Sequence, residues 1–155
     1  MIIVELIEKE FTAENIKLNR IYMQFKELLK QLKQRELPPN IIEILNNDLE
    51  EINTTSFNDK ELMRLFKKKQ TKILKLIEKD LKVVPKDYYK SIWLPLGMSI
   101  FGIPIGITLG TIVLNNSALF PIGFPIGMAI GIAIGIEMDK KASKEGRQLD
   151  IKIKY

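Results

Sequence analysis

Apolar positions along the chain fall into three regimes. Between residues 13 and 35, Leu18, Ile21, Phe25, Leu28 and Leu32 recur at alternating three- and four-residue steps, the spacing that aligns side chains on one face of an α-helix. Thr12 reads as the cap of that helix. "ELPPN" interrupts the pattern, with Pro39 where a first helical turn tolerates a missing N–H. Ile42, Leu45, Leu49 and Ile52 continue it on a shorter helix, and "NTTSFND" breaks it again. Leu62, Phe66, Ile73, Leu76 and Ile77 predict a third helix over about 59–83, stopped by Pro85. Three amphipathic helices with short breaks predict a small bundle.

The second regime is unlike the first. From Ser91 to Ile136 there are 46 residues without Asp, Glu, Lys or Arg. About 20 mostly apolar residues cross roughly 30 Å of hydrocarbon, so the stretch predicts two membrane-crossing helices, over 92–114 and 118–136. Asn115, Asn116 and Ser117 are the polar cluster between them. A connection this short makes the helices antiparallel neighbours. In the alternative, a buried helical pair in a soluble protein, the remaining chain is too small to cover two helices that are apolar all round. The fold class expected is all-α: a cytoplasmic three-helix bundle over 1–87, an antiparallel transmembrane hairpin within 88–138 and a short tail over 139–155. In the third regime "LDIKIKY" alternates in a strand-like way and "MIIVEL" is β-prone. Pairing of these two ends and a short docking tail both fit.

Within the uncharged stretch a motif appears twice, G-x-P-I-G-x-x-[LI]-G, at 102–110 and 123–131. Gly102, Gly106 and Gly110 form one row at four-residue steps, and Gly123, Gly127, Gly131 and Gly135 form another. That step places each row on one side of its helix. Association in lipid relies on close van der Waals packing, so rows of small residues are contact faces. Two uses fit: the rows pack on each other, or part of a row, Gly135 and the outer positions first, meets another copy. Gly97 falls outside the four-residue row. Pro104 and Pro125, at equivalent places in the repeat, are expected to kink their helices.

Charge then orients the pair. Lys82, Lys86 and Lys90 precede the first span; Lys140, Lys141, Lys144 and Arg147 follow the second; the turn has no charge. The positive-inside rule places both ends in the cytoplasm, and Tyr88, Tyr89 and Trp93 read as an interfacial aromatic belt. The first ten residues lack the basic start of a cleaved signal peptide.

The chain has no cysteine and no histidine. That excludes disulfides, Cys nucleophiles, His bases and the usual zinc or copper ligand sets. The glycine repeats lack the strand-to-helix setting and the Lys-Ser/Thr of a phosphate loop. No catalytic, cofactor-binding or metal-binding residue is therefore assigned, and no enzyme activity is expected. Glu50/Glu51 and Glu137/Asp139 read as surface or interface charges. Lys67, Lys68, Lys69 and Lys72 form a basic run on the third helix. Acidic residues are interspersed nearby, so the run reads as a solvated face or one held near anionic headgroups, not a nucleic-acid site.

From Tyr88 onward, "YYKSIWLPLGMSIFGIPIG", "GFPIGMAIGIAIG" and "MDKKASKEGRQLD" resemble a group of small, uncharacterised bacterial membrane proteins with a glycine-zipper hairpin and a D-K-K-x-x-x-E-G-R tail. The resemblance covers under half of the chain. It implies a bacterial cytoplasmic-membrane protein and carries over no functional residue. The function expected is a non-enzymatic, self-associating membrane protein in which the bundle binds an unknown cytoplasmic protein. Adaptor, regulatory and immunity-type roles fit. The alternative is an oligomeric effector that forms a pore or perturbs the lipid bilayer under control of the bundle.

Overall fold

The computed structural model describes residues 2–7, 15–55, 58–113 and 116–153. Thr12, Leu114 and Asn115 lie outside the described residues. The chain divides into two compact units, one of Met1–Pro85 with Leu149–Tyr155, the other of Lys86–Gln148.

The first unit is a helical bundle. Helix α1 spans Ile16–Lys33, α2 Pro39–Thr54 and α3 Asp59–Leu81. Pro39 is the first residue of α2, where its missing N–H has no helical partner to lose. Asn58 starts α3 by accepting the Glu61 N–H at 3.0 Å. The apolar seams read from the sequence form the core: Leu18, Phe25, Leu28 and Leu32 of α1, Leu45, Leu49 and Ile52 of α2, and Phe66, Ile73 and Ile77 of α3 are fully buried. At its centre Phe66 meets the rings of Phe25 and Tyr22 edge-on, with centroids 5.4 and 5.7 Å apart. This is the geometry favoured by aromatic quadrupoles.

Among the described residues the two chain ends do not pair as strands. Strand β1, Val84–Pro85, pairs with β2, Gln148–Leu149. Leu149 and Ile151 are buried in the core of the first unit, which is what the alternation in "LDIKIKY" encodes. Residues 2–7 are neither helix nor strand. Ile3 is buried in the same core, and the backbone around it is held by side chains of α2.

Within the basic run of α3, Lys69 alone departs from the expected solvated face. Lys67 and Lys68 are exposed, but Lys69 is buried. Its ammonium lies 2.6 Å from Asp48 Oδ1 and 2.5 Å from Glu51 Oε2, and Lys72 reaches the same Asp48 oxygen at 2.8 Å. Asp48 is only 2% exposed. Glu51, half exposed beside the lysines, is thus one member of an ion cluster. Burial pulls the Lys69 pKa down, but the hydrogen bonds and charges of Asp48 and Glu51 outweigh it and raise the pKa above 10.5.

The second unit contains two helices long and apolar enough to cross a membrane, Tyr88–Val113 and Ala118–Lys144. The first is composite: α4 (Tyr88–Gly97), a π-helical run (Met98–Gly102), α5 (Ile103–Ile107) and a second π-helical run (Thr108–Val113). The other opens as a 3-10 helix, Ser117–Ile122, and continues as α6, Gly123–Lys144. Pro104 is the second residue of α5 and Pro125 the third of α6. Both prolines thus follow a change of helix type. Both helices extend past the expected spans at their charged ends. Loss of charge marks an apolar stretch, whereas a helix ends where its capping residues lie.

The raised Lys69 pKa belongs to the folded state. Its contribution is therefore complete below the unfolded lysine value and disappears as pH rises through the higher folded value. Lys69→Met should cost about 3–5 kcal/mol near neutral pH by leaving Asp48 buried with one partner fewer. The variant should also lose part of the parent's decline in stability above about pH 10.5. Denaturant unfolding followed by circular dichroism at pH 7 and in the alkaline range checks both.

Candidate functional site

The two apolar helices meet along their glycines. A Cβ built on Gly97 would stand 2.6 Å from the Gly131 Cα. One on Gly102 would stand 2.9 Å from the Gly123 oxygen, and one on Gly123 2.6 Å from the Gly106 Cα. One on Gly127 would stand 2.5 Å from the Gly97 oxygen and 2.6 Å from the Gly102 Cα. Gly106 and Gly131 face the carbonyl oxygens of Phe120 and Trp93 just as closely. Gly110 is the loosest position, 3.0 Å from the Phe120 nitrogen. These contacts are backbone against backbone.

Two expectations change. Gly135 faces Lys90 and Tyr89 of the same chain, with 2.5 Å from a built Cβ to the Lys90 Cα. Gly97 belongs to the contact. It stands five residues before Gly102, one more than a four-residue row permits, and the π-helical run Met98–Gly102 takes up the extra residue. A π turn closes over i→i+5, so the five-residue step returns to the same face. The signal in the sequence was the five-residue spacing just before Pro104, which a strict four-residue count discards.

The charged end of the same contact is built around Asp139, which is 8% exposed. Its two carboxylate oxygens accept the backbone N–H groups of Tyr89 and Lys90, at 3.1 and 3.0 Å. These are among the first N–H groups of α4, which have no partner inside the helix. Asp87, in the usual capping position, makes no side-chain cap bond. A residue of α6 therefore caps α4, about 50 positions away in sequence. The sequence marks Asp139 only as a surface or interface charge, because a cap is normally sought next to its helix.

The tail motif also acquires a physical meaning. Gly146 has φ +68°, its N–H donates to the Ser143 carbonyl, and the Arg147 N–H donates to the Ala142 carbonyl. This is the Schellman ending of α6, in which glycine takes the left-handed position at least cost. Arg147 bonds the Glu145 carboxylate. That carboxylate, and with it Tyr89, raises the Arg147 pKa above its ordinary value. Tyr88 and Tyr89 meet edge-on at 5.3 Å. Lys140 pairs with Glu137 at 2.8 Å, Lys141 and Lys144 are exposed, and Trp93 is half-buried.

The faces away from the glycines are apolar and open. Ile100, Ile103, Ile107, Ile112, Ile122 and Ile126 are all exposed, and only 22% of the apolar window of each helix is buried. Ser99 and Thr111 donate to the carbonyls of Pro95 and Ile107 in their own helix. Among the described residues no group of three acidic side chains is placed to hold a metal ion. Comparison with protein-family models, curated proteins and solved structures gives no match.

Gly97→Leu should be as damaging as Gly106→Leu or Gly127→Leu, each costing about 1–3 kcal/mol or more through overpacking; Gly110→Ala should be mild. Melting temperatures in detergent give the ranking, and a harmless Gly97→Leu contradicts the place assigned to Gly97. In the same assay Asp139→Ala should cost about 1–3 kcal/mol by orphaning two N–H groups, and Asp139→Asn, which keeps one acceptor oxygen, should cost less.

Proposed function

We propose that this chain is an integral protein of the bacterial cytoplasmic membrane. An antiparallel, glycine-zippered helical hairpin anchors a cytoplasmic bundle that acts as an interaction, regulatory or immunity-type module. The observation that carries the reading is the division of faces on the two long helices. Glycines and backbone meet in the contact, and isoleucines stand exposed outside it. Hydrocarbon is the surrounding that suits such an outer face, since each helix bonds its own backbone and lipid covers the rest. The clustering of basic residues at the charged ends, with none at 115–117, orients both termini to the cytoplasm.

Because both glycine rows are filled within the chain, self-association falls to the isoleucine face. The pore-forming alternative draws no support from Ser99 or Thr111, whose hydroxyls are engaged by their own helix. With no His or Cys and no resident cofactor proposed, binding is the reading for the bundle.

Single cysteines report topology without background, because the chain has none of its own. Asn116→Cys should react with an impermeant thiol reagent applied to intact cells, and Lys30→Cys and Lys152→Cys should react only after lysis. The reverse pattern overturns the orientation, and release of the protein by carbonate wash overturns the membrane anchor.

A further inference from the structure

Two asparagines of α2 treat the N-terminal segment as a ligand. Asn46 donates from Nδ2 to the Ile2 carbonyl at 3.1 Å and accepts the Val4 N–H on Oδ1 at 2.8 Å. Asn53 repeats the arrangement on the Glu5 carbonyl and the Ile7 N–H, both at 3.0 Å. Each amide thus takes the C=O of one residue and the N–H of the residue two further on. A residue of a neighbouring parallel strand engages the same pair of groups. The two clamps are also in register. Seven helical residues advance by about 10.5 Å, and three residues of a chain with the threefold period of polyproline II advance by about 9 Å and bring the C=O back to the same side.

We propose that Asn46 and Asn53 form a backbone clamp for an extended segment of a partner protein, and that residues 2–7 are its built-in competitor. The clamp bonds only main-chain atoms, so it accepts many sequences. Selectivity comes from two side chains, Ile3, buried in the core, and Leu6, packed against it. The other apolar members, Ile2, Val4 and Ile7, are exposed. Beside Leu6 runs a groove of about 550 Å³, with Leu29 on its wall and Lys26, Lys30 and Lys33 along it. Glu5 lies 3.9 Å from Lys33. The partner that fits is an extended stretch with apolar residues three apart and an acidic residue just before the second. As in other modes of peptide recognition, main-chain bonds supply affinity and side-chain pockets specificity, here at a three-residue step and not at the alternate positions of a β-strand.

The proposal deepens the reading of the bundle as an interaction module, and its readout, peptide binding, is separate from the topology labelling above. The test uses the full chain in detergent, with and without residues 2–7, and a fluorescent peptide of sequence MIIVELI. The shortened chain should bind the peptide. The parent should bind at least about tenfold more weakly, because its site is mostly closed. Asn46→Ala with Asn53→Ala in the shortened chain should also weaken binding at least about tenfold, and a peptide carrying Ile3→Asp and Leu6→Asp should not bind. Binding indifferent to the two asparagines overturns the proposal, as does no binding by a shortened chain that keeps the parent's circular dichroism. Should the shortened chain lose its fold, the parent decides. Excess peptide should then accelerate hydrogen exchange at the Val4 and Ile7 amides, and unchanged exchange overturns the clamp.

Discussion

The second unit depends on how closely two helix backbones can approach. A side chain as small as a methyl group at Gly97, Gly123, Gly127 or Gly131 would overlap main-chain atoms of the opposite helix. Everything else about the pair follows from that constraint. The rows must face each other, so isoleucines are displaced to the outside. The facing row must stay continuous past Gly102, so the first helix widens into a π turn to bring Gly97 into line. The ends must also meet, so Asp139 of α6 can satisfy N–H groups of α4 that its own flanking residues leave without a side-chain cap.

The first unit solves a different problem, that of placing polar groups near a core. Asp48 and Lys69 are buried together with Glu51 and Lys72 at the rim. Such a cluster adds little stability over an apolar replacement, but breaking it is costly, so it constrains how α2 and α3 register. Asn46 and Asn53 serve a gentler version of the same task. They give backbone groups of a segment without helix or strand the partners that secondary structure would otherwise provide.

The helices of the bundle, their seams and the two long apolar helices were legible in the sequence, because each rests on a local period of apolar residues. Leu18, Phe25, Leu32, Leu49 and Ile73 needed only their spacing to be placed in the core. The four-residue glycine rows were legible for the same reason. A four-residue count picks out Gly102 to Gly135 and passes over Gly97, since a helical period assumed uniform hides a change of helix type.

What only the tertiary structure decided are the pairings between residues distant in sequence. Asp139 with the start of α4, Lys69 with Asp48 and Glu51, β1 with β2, and Asn46 and Asn53 with residues 2–7 each join segments separated by more than a dozen positions. A single charge or amide carries no period, and its chemistry is the same whether it faces water or a buried backbone group. The sequence by itself determined which faces must be hidden, because hydrophobic burial is non-directional and scales with area. The partner of each polar group was decided only by folding, because a hydrogen bond forms within a few tenths of an ångström and a narrow range of angles, which spacing along a chain does not specify.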